Sequence, residues 1–161
     1  MRDIQYVRGD RKSPHYVLTE SDIILVKNEI KVIEADITIF HFNHPNFTGT
    51  CYSDKFDIIN IAGNIFPDLI SGSTHPRDIM SVRAVLAHEY YGHRLFRGTH
   101  LPIYFWEDEY RASRTAAEIT PNLTDEERRH LVMDALERKR EAGVEFVLDD
   151  FEKKTLYGEI F

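Results

Sequence analysis

Two histidines five residues apart, His88 and His93, stand in an apolar, helix-forming stretch that reads V-L-A-H-E-Y-Y-G-H. That spacing constrains the local fold more than any other feature of the chain. At about 100° per residue, side chains four apart lie about 40° apart around a helix, and side chains five apart about 140°. Imidazoles so widely separated cannot share one tetrahedral ion from a regular helix. One residue accommodated as a π-bulge restores a common face, and such bulges are frequent at functional sites. Gly92 lies inside the interval and would ease the distortion. The residue types suit a metal. Imidazole nitrogen is a good Zn²⁺ ligand, and a glutamate beside the first histidine, here Glu89, can take a proton from a water at the ion.

A zinc site of this kind needs a third protein ligand and keeps a fourth position for water. The next acidic cluster, Glu107-Asp108-Glu109, falls on the following predicted helix, and a short connection lets two helices pack antiparallel. Glu109 is the preferred third ligand, with Glu107 and Asp108 as rivals, because adjacent helix positions cannot all face one point. The ordinary alternatives are two helix histidines, one in a polar niche and one exposed, and a solvated acidic turn. Glu89, Gly92, the apolar Val85-Leu86-Ala87 and the acidic helix together favour the metal.

H-E-Y-Y-G-H resembles the H-E-x-x-G-H motif of the dipeptidyl peptidase III family of zinc metallopeptidases, and Asp108-Glu109-Tyr110-Arg111-Ala112-Ser113 resembles the later E-E-x-R-A-[E/D] motif of that family. The resemblance covers residues 88–113. It implies that His88, His93 and Glu109 bind zinc, that Glu89 is the general base, and that Asp108 stands behind a ligand histidine and orients it. The first acid of the later motif is Asp here, and Ser113 replaces the last. The interval between the motifs is shorter than in that family, and the chain is too small for its two-lobed architecture. In size the chain resembles compact zincin-like domains of bacterial and phage-associated proteins.

The 161 residues suit one domain, 1–161. With 20 Lys and Arg against 27 Asp and Glu, the net charge of −7 gives no general attraction to nucleic acid or anionic lipid. No apolar run approaches the roughly 18–20 residues of a membrane span. The first residues, MRDIQYVRGDRK, lack the apolar centre of a signal peptide, so a cytoplasmic protein is expected. Cys51 is alone, which excludes an intramolecular disulfide and a Cys-rich zinc site, and it reads as a buried small hydrophobe. There is no Gly-rich phosphate loop and no G-x-S-x-G.

The chain to Pro14 is polar and expected to be loosely ordered. Residues 19–34 predict a helix capped by Thr19 or Ser21. Residues 36–43 and 56–61 predict strands, the second extending towards Phe66. A long helix is expected from Pro76 or Arg77 to about Phe96, a second over 103–119, and a third with a Thr124–Glu127 capping box and a stop at Gly143. The third reads as a brace, with Arg138, Lys139 and Arg140 at its negative end. The tail is expected to begin as a short strand and to end in apolar anchors Leu156, Tyr157, Ile160 and Phe161. Tyr90, Tyr104, Phe105 and Trp106 read as core.

The expected fold is therefore α+β and zincin-like: a small mixed sheet on an active-site helix, then a glutamate helix and a bracing helix. The segment 56–66 is expected to supply an edge strand for an extended substrate. The expected activity is amide hydrolysis in a peptide or protein substrate by zinc-activated water, with Glu89 as base and Tyr91, His100, Tyr104, Tyr110 or Arg111 stabilising the oxyanion. The alternative is a non-enzymatic interaction protein on the same scaffold, with or without zinc.

Overall fold

The computed structural model describes residues 11–68, 72–98 and 104–158. Helix and sheet are mixed, as expected for an α+β chain. Helix α1, Glu20–Val32, starts at Thr19, whose side chain accepts from the Asp22 amide while the Asp22 carboxylate accepts from the Thr19 amide. Such reciprocal caps satisfy amides that would otherwise lack partners at the helix start. Val26, Ile30 and Ile33 turn inward and are fully buried.

Three short strands follow: β1 (Phe40–Phe42), β2 (Cys51–Ser53) and β3 (Ile58–Ile61). The order is β1-β3-β2, with β1 parallel and β2 antiparallel to β3. Here the structure departs from expectation. The first strand is shorter than 36–43, because the Asp36 carboxylate accepts from the Thr38 amide and holds Ile37–Ile39 as a 3₁₀ turn. The second expected strand is the central one, and the edge is β2, which the sequence presents as part of a loop. Past Ile61 the chain enters a 3₁₀ turn, Gly63–Ile65, instead of continuing as strand. A Cβ on Gly63 would lie 2.4 Å from the Ser13 carbonyl oxygen, so only glycine fits.

The polar segment before Pro14 is partly built in. Arg11 pairs with Pro67 in an isolated bridge and is buried. Its guanidinium donates to the carbonyls of Asn64, Ile65, Arg77, Asp78 and Met80 at 2.8–3.1 Å. Residues 1–10 lie outside the described residues.

The helix expected over 76–96 is divided. Helix α2 is Pro76–Ile79 and α3 is Val82–Ala87. Met80 is extended between them, and the Ser81 hydroxyl restarts the helix by accepting from the Ala84 amide. The Arg11 guanidinium donates to carbonyls freed at the break, so the interruption leaves them satisfied. From Ala87 the chain winds as a π-helix, His88–His93, and then as a 3₁₀ turn, Arg94–Phe96. Helix α4, Phe105–Ile119, packs against the π segment and against α5, Asp125–Glu141. The Thr124–Glu127 box starts α5 as expected, and Gly143, at φ +72°, lies just past its end. The tail forms helix α6, Asp150–Tyr157, after an irregular 144–149. Leu156 packs against the core, whereas Tyr157 is exposed; Ile160 and Phe161 lie outside the described residues. Tyr104 and Phe105 are also exposed rather than core, while Tyr90 stacks on Phe40. Among the described residues, no helix is long and apolar enough to cross a membrane.

Candidate metal centre

The π-helix is the feature that the five-residue spacing demanded. It turns His88 and His93 to the same side, with their Nε2 atoms 3.1 Å apart. Helix α4 meets them with Glu109, whose Oε1 lies 3.1 Å from His88 Nε2 and whose Oε2 lies 3.0 Å from His93 Nε2. An ion with four ligands at about 2.0–2.1 Å in tetrahedral geometry spaces them about 3.3–3.4 Å apart. The three donor contacts are close to that spacing, so the donor set fits a small divalent cation. His88 and Glu109 are buried and His93 is half-buried. Asp108 Oδ2 lies 3.6 Å from His93 Nδ1, on the ring edge away from Glu109, where an orienting group belongs. Glu107 stands outside the group.

Gly92 has a different reason from the expected one. Its φ is not positive. A Cβ at this position would lie 2.4 Å from the Ala112 carbonyl oxygen, so glycine allows the π-helix and α4 to approach closely enough for Glu109 to reach both histidines. The small residues Ala112, Ser113 and Ala116 line the buried side of α4 along this contact.

The far nitrogen of His88 is also engaged. His88 Nδ1 lies 2.8 Å from Ser113 Oγ, and the Ser113 hydroxyl donates to Asp134 Oδ2 at 2.6 Å. Burial alone would raise the Asp134 carboxyl, but Arg138 and Arg77, with a smaller contribution from the Ser113 hydroxyl, hold it down at about 2. Arg77 Nε lies 2.7 Å and Arg138 Nε 3.5 Å from Asp134 Oδ1. Arg138 also reaches Glu109 Oε1 at 3.4 Å. Helix α5 is therefore more than the expected brace, and Arg138 turns inward instead of decorating the helix end. Sequence reading missed Ser113 as a functional group because it registered only as a departure from a motif. Asp134 was detectable as an acid interrupting the apolar stripe of Leu131, Val132 and Ala135.

Glu89 is 3 % exposed, and its Oε1 accepts from the Tyr52 amide of strand β2 at 3.2 Å. With His88, Glu109, Thr50 and Asn64 it lines a small pocket of about 40 Å³. On the other side of Glu109 a cleft of about 470 Å³ opens between β2 and the helices, lined by Cys51, Tyr52, His93, Phe105, Glu109 and Arg111 among others. Cys51 is thus on the wall of the cleft and partly exposed, not in the core. Of the expected oxyanion donors, Arg111 lines this cleft while bonded to Asp108 at 2.9 Å. Two others are turned away. The Tyr91 hydroxyl donates to the Ile33 carbonyl, and the Tyr110 hydroxyl to Glu152. Burial and the Glu152 carboxylate push Tyr110 up to about 12, so it stays a neutral donor there. His100 lies outside the described residues. Arg83 and Arg94 are structural, paired with Glu29 and Asp57 respectively.

A second group, His75, Glu137 and Glu141, also brings possible ligand atoms together. Its chemistry differs. His75 Nδ1 caps α2 by accepting from the Arg77 amide at 3.1 Å, so in the neutral ring the proton sits on Nε2, the atom that faces Glu141 at 3.5 Å. Comparison with family models, with curated proteins and with solved structures found no match to this chain.

Proposed function

We propose that the chain is a zinc-dependent peptidase on a zincin-like scaffold. One observation carries this reading: His88 Nε2, His93 Nε2 and the Glu109 carboxylate converge at 3.0–3.1 Å, held by a π-helix and placed beside a cleft. The charge and ligand types suit Zn²⁺, and His₂Glu is a set used by catalytic rather than closed structural sites. When bound, zinc supplies Lewis acidity, which polarises a carbonyl and makes water a nucleophile at neutral pH.

The remaining work falls to side chains of the protein. Glu89, next to His88, takes the proton of the attacking water and returns it to the leaving amine. The Tyr52 amide holds Glu89 Oε1 in place, so the base is fixed by the same strand that borders the cleft. Strand β2 is an edge strand beside the cleft, and its Tyr52 N–H is given to Glu89 rather than to β3. Arg111 and Arg97 are the arginines lining the cleft, and of the two Arg111 lies on the helix that carries Glu109 and is offered as the group that meets charge developing on the substrate. The substrate class is peptide or protein, at a site with no nucleic-acid or membrane role.

A second reading, a non-enzymatic interaction protein on this scaffold, gains from one observation. Glu89 lines the small pocket beside His88 and is not among the residues lining the larger cleft. Metal content and hydrolysis of a quenched-fluorescent peptide library, measured for the wild type and Glu89→Gln, separate the two. The peptidase reading expects about one zinc per chain in both proteins and turnover in the wild type alone. Zinc-free protein after incubation with zinc overturns it. Zinc-loaded wild type without turnover on any peptide favours the interaction protein. Loss of zinc in Glu89→Gln would make Glu89 a ligand or a fold element instead of a base.

A further inference from the structure

The group behind His88 is unusual in its composition. A ligand imidazole is ordinarily held through its other nitrogen by a carboxylate, a backbone carbonyl or water, and that partner sets the tautomer and ring orientation. Here a buried serine on α4 stands directly against the ring, and the carboxylate comes from another helix. Ser113 is wholly buried, and so is Asp134. From these distances we infer that Ser113 and Asp134 form a two-step relay that positions His88 for metal binding, a role that rests on the zinc reading of the site.

The hydrogen-bond logic runs in one direction. Asp134 is flanked by two guanidinium groups and offers only acceptor atoms, so the short 2.6 Å contact is donated by the Ser113 hydroxyl. Having spent its only proton there, Ser113 Oγ accepts from His88 Nδ1 across 2.8 Å. The ring proton is therefore held on Nδ1, and Nε2 faces Glu109 and His93 as the ligating atom. Ser113 lies one helical turn beyond Glu109 on α4, so the residue that orients the first ligand and the residue that supplies the third share one rigid face. Arg77 and Arg138 fix the carboxylate from the other side, which ties the ring orientation to α2 and α5. Both are positioning residues: they act on the metal through His88.

The test is zinc affinity by competition with a chromophoric chelator for the wild type, Ser113→Ala, Ser113→Thr and Asp134→Asn. It is accompanied by thermal unfolding of each metal-free protein and by long-range ¹H–¹⁵N spectra of the zinc-loaded forms. Ser113→Ala is expected to weaken zinc about 10–100-fold, to lower the metal-free unfolding temperature because Asp134 loses a buried hydrogen bond, and to lose the slowly exchanging His88 Nδ1 proton. Ser113→Thr keeps the hydroxyl and is expected to restore both affinity and that resonance. Asp134→Asn should weaken zinc by a similar factor while retaining Ser113. Affinity of Ser113→Ala within threefold of the wild type would overturn the relay and leave the zinc site standing. Equal losses in Ser113→Ala and Ser113→Thr would also overturn it, because a packing requirement would then explain both. A wild-type protein that binds no zinc would refute the zinc reading itself, and the relay with it.

Discussion

The chain holds two clusters with nearly the same inventory, and their difference lies in the nitrogens. In His88, His93 and Glu109 the first ring gives its Nδ1 side to Ser113 and turns Nε2 inward. In His75, Glu137 and Glu141 the ring gives Nδ1 as an acceptor to the Arg77 amide, so Nε2 carries the proton towards Glu141. A cation at that Nε2 would have to displace a proton that the helix cap holds in place. Glu141 is also committed, since Arg77 donates to its Oε1 at 2.8 Å and, against the effect of burial, keeps its carboxyl below the ordinary range. Exposure follows the same division. The His88 and Glu109 side chains are 7 % and 3 % exposed, whereas the Glu141 side chain is 40 % exposed. Proximity of histidine and carboxylate is thus a poor guide to metal binding unless the opposite ring atom is also accounted for. Arg77 connects the two clusters, holding Asp134 with Nε and Glu141 with Nη2.

The largest effect that would sharpen this contrast is on zinc stoichiometry. His88→Ala and Glu109→Ala are each expected to weaken zinc binding more than about 100-fold, since each removes one of three ligands. His75→Ala should keep about one zinc per chain. Metal analysis after dialysis decides it, and loss of zinc in His75→Ala with retention in His88→Ala would reverse the assignment. A second consequence concerns the close approach that only the first cluster needs. Gly92→Ala forces a Cβ against the Ala112 carbonyl and should cost about 1–3 kcal/mol or more in denaturant unfolding. A change below about 0.5 kcal/mol would mean that α4 can withdraw without penalty.

The smallest effect is in acid. Asp134 has its carboxyl lowered from 3.8 to about 2 in the folded protein. A depressed carboxyl stabilises the fold fully above its unfolded value and loses that contribution as pH falls through the folded value. The advantage of the wild type over Asp134→Asn should therefore be on the order of 2 kcal/mol at neutral pH and shrink between about pH 4 and pH 2. Unfolding at a series of pH values measures it. A gap that stays constant across that range would mean that Asp134 acts by shape rather than by charge.

The elements whose local signals are self-contained were legible without coordinates. Thr19 and Thr124 cap helices because their partners stand three residues on in the same chain. The π-helix was legible for a related reason: only one backbone irregularity reconciles a spacing of five with a shared face. What escaped was set by distant groups. The break at Met80 and Ser81 depends on an arginine some seventy residues earlier, whose guanidinium donates to the freed carbonyls. Strand β2 is three residues long, too short for alternation to register, and exists because β3 pairs with it. Asp36 began a turn where the β-branched run suggested strand, since its carboxylate competes locally for the Thr38 amide.

By itself the sequence determined which histidines and acids are available, their order and the irregular turn that must join His88 to His93 if they are to share a face, because these follow from residue identity and helical geometry alone. It also narrowed the acid that could join the histidines to three adjacent residues. The meeting of Glu109 with both rings, the contacts that run from Asp134 through Ser113 to His88, and the different nitrogen presented by His75 were decided by tertiary structure. Each depends on which atom of a side chain faces which neighbour across a helix interface. That is fixed by packing distances of a few tenths of an ångström, as at Gly92, and not by spacing along the chain.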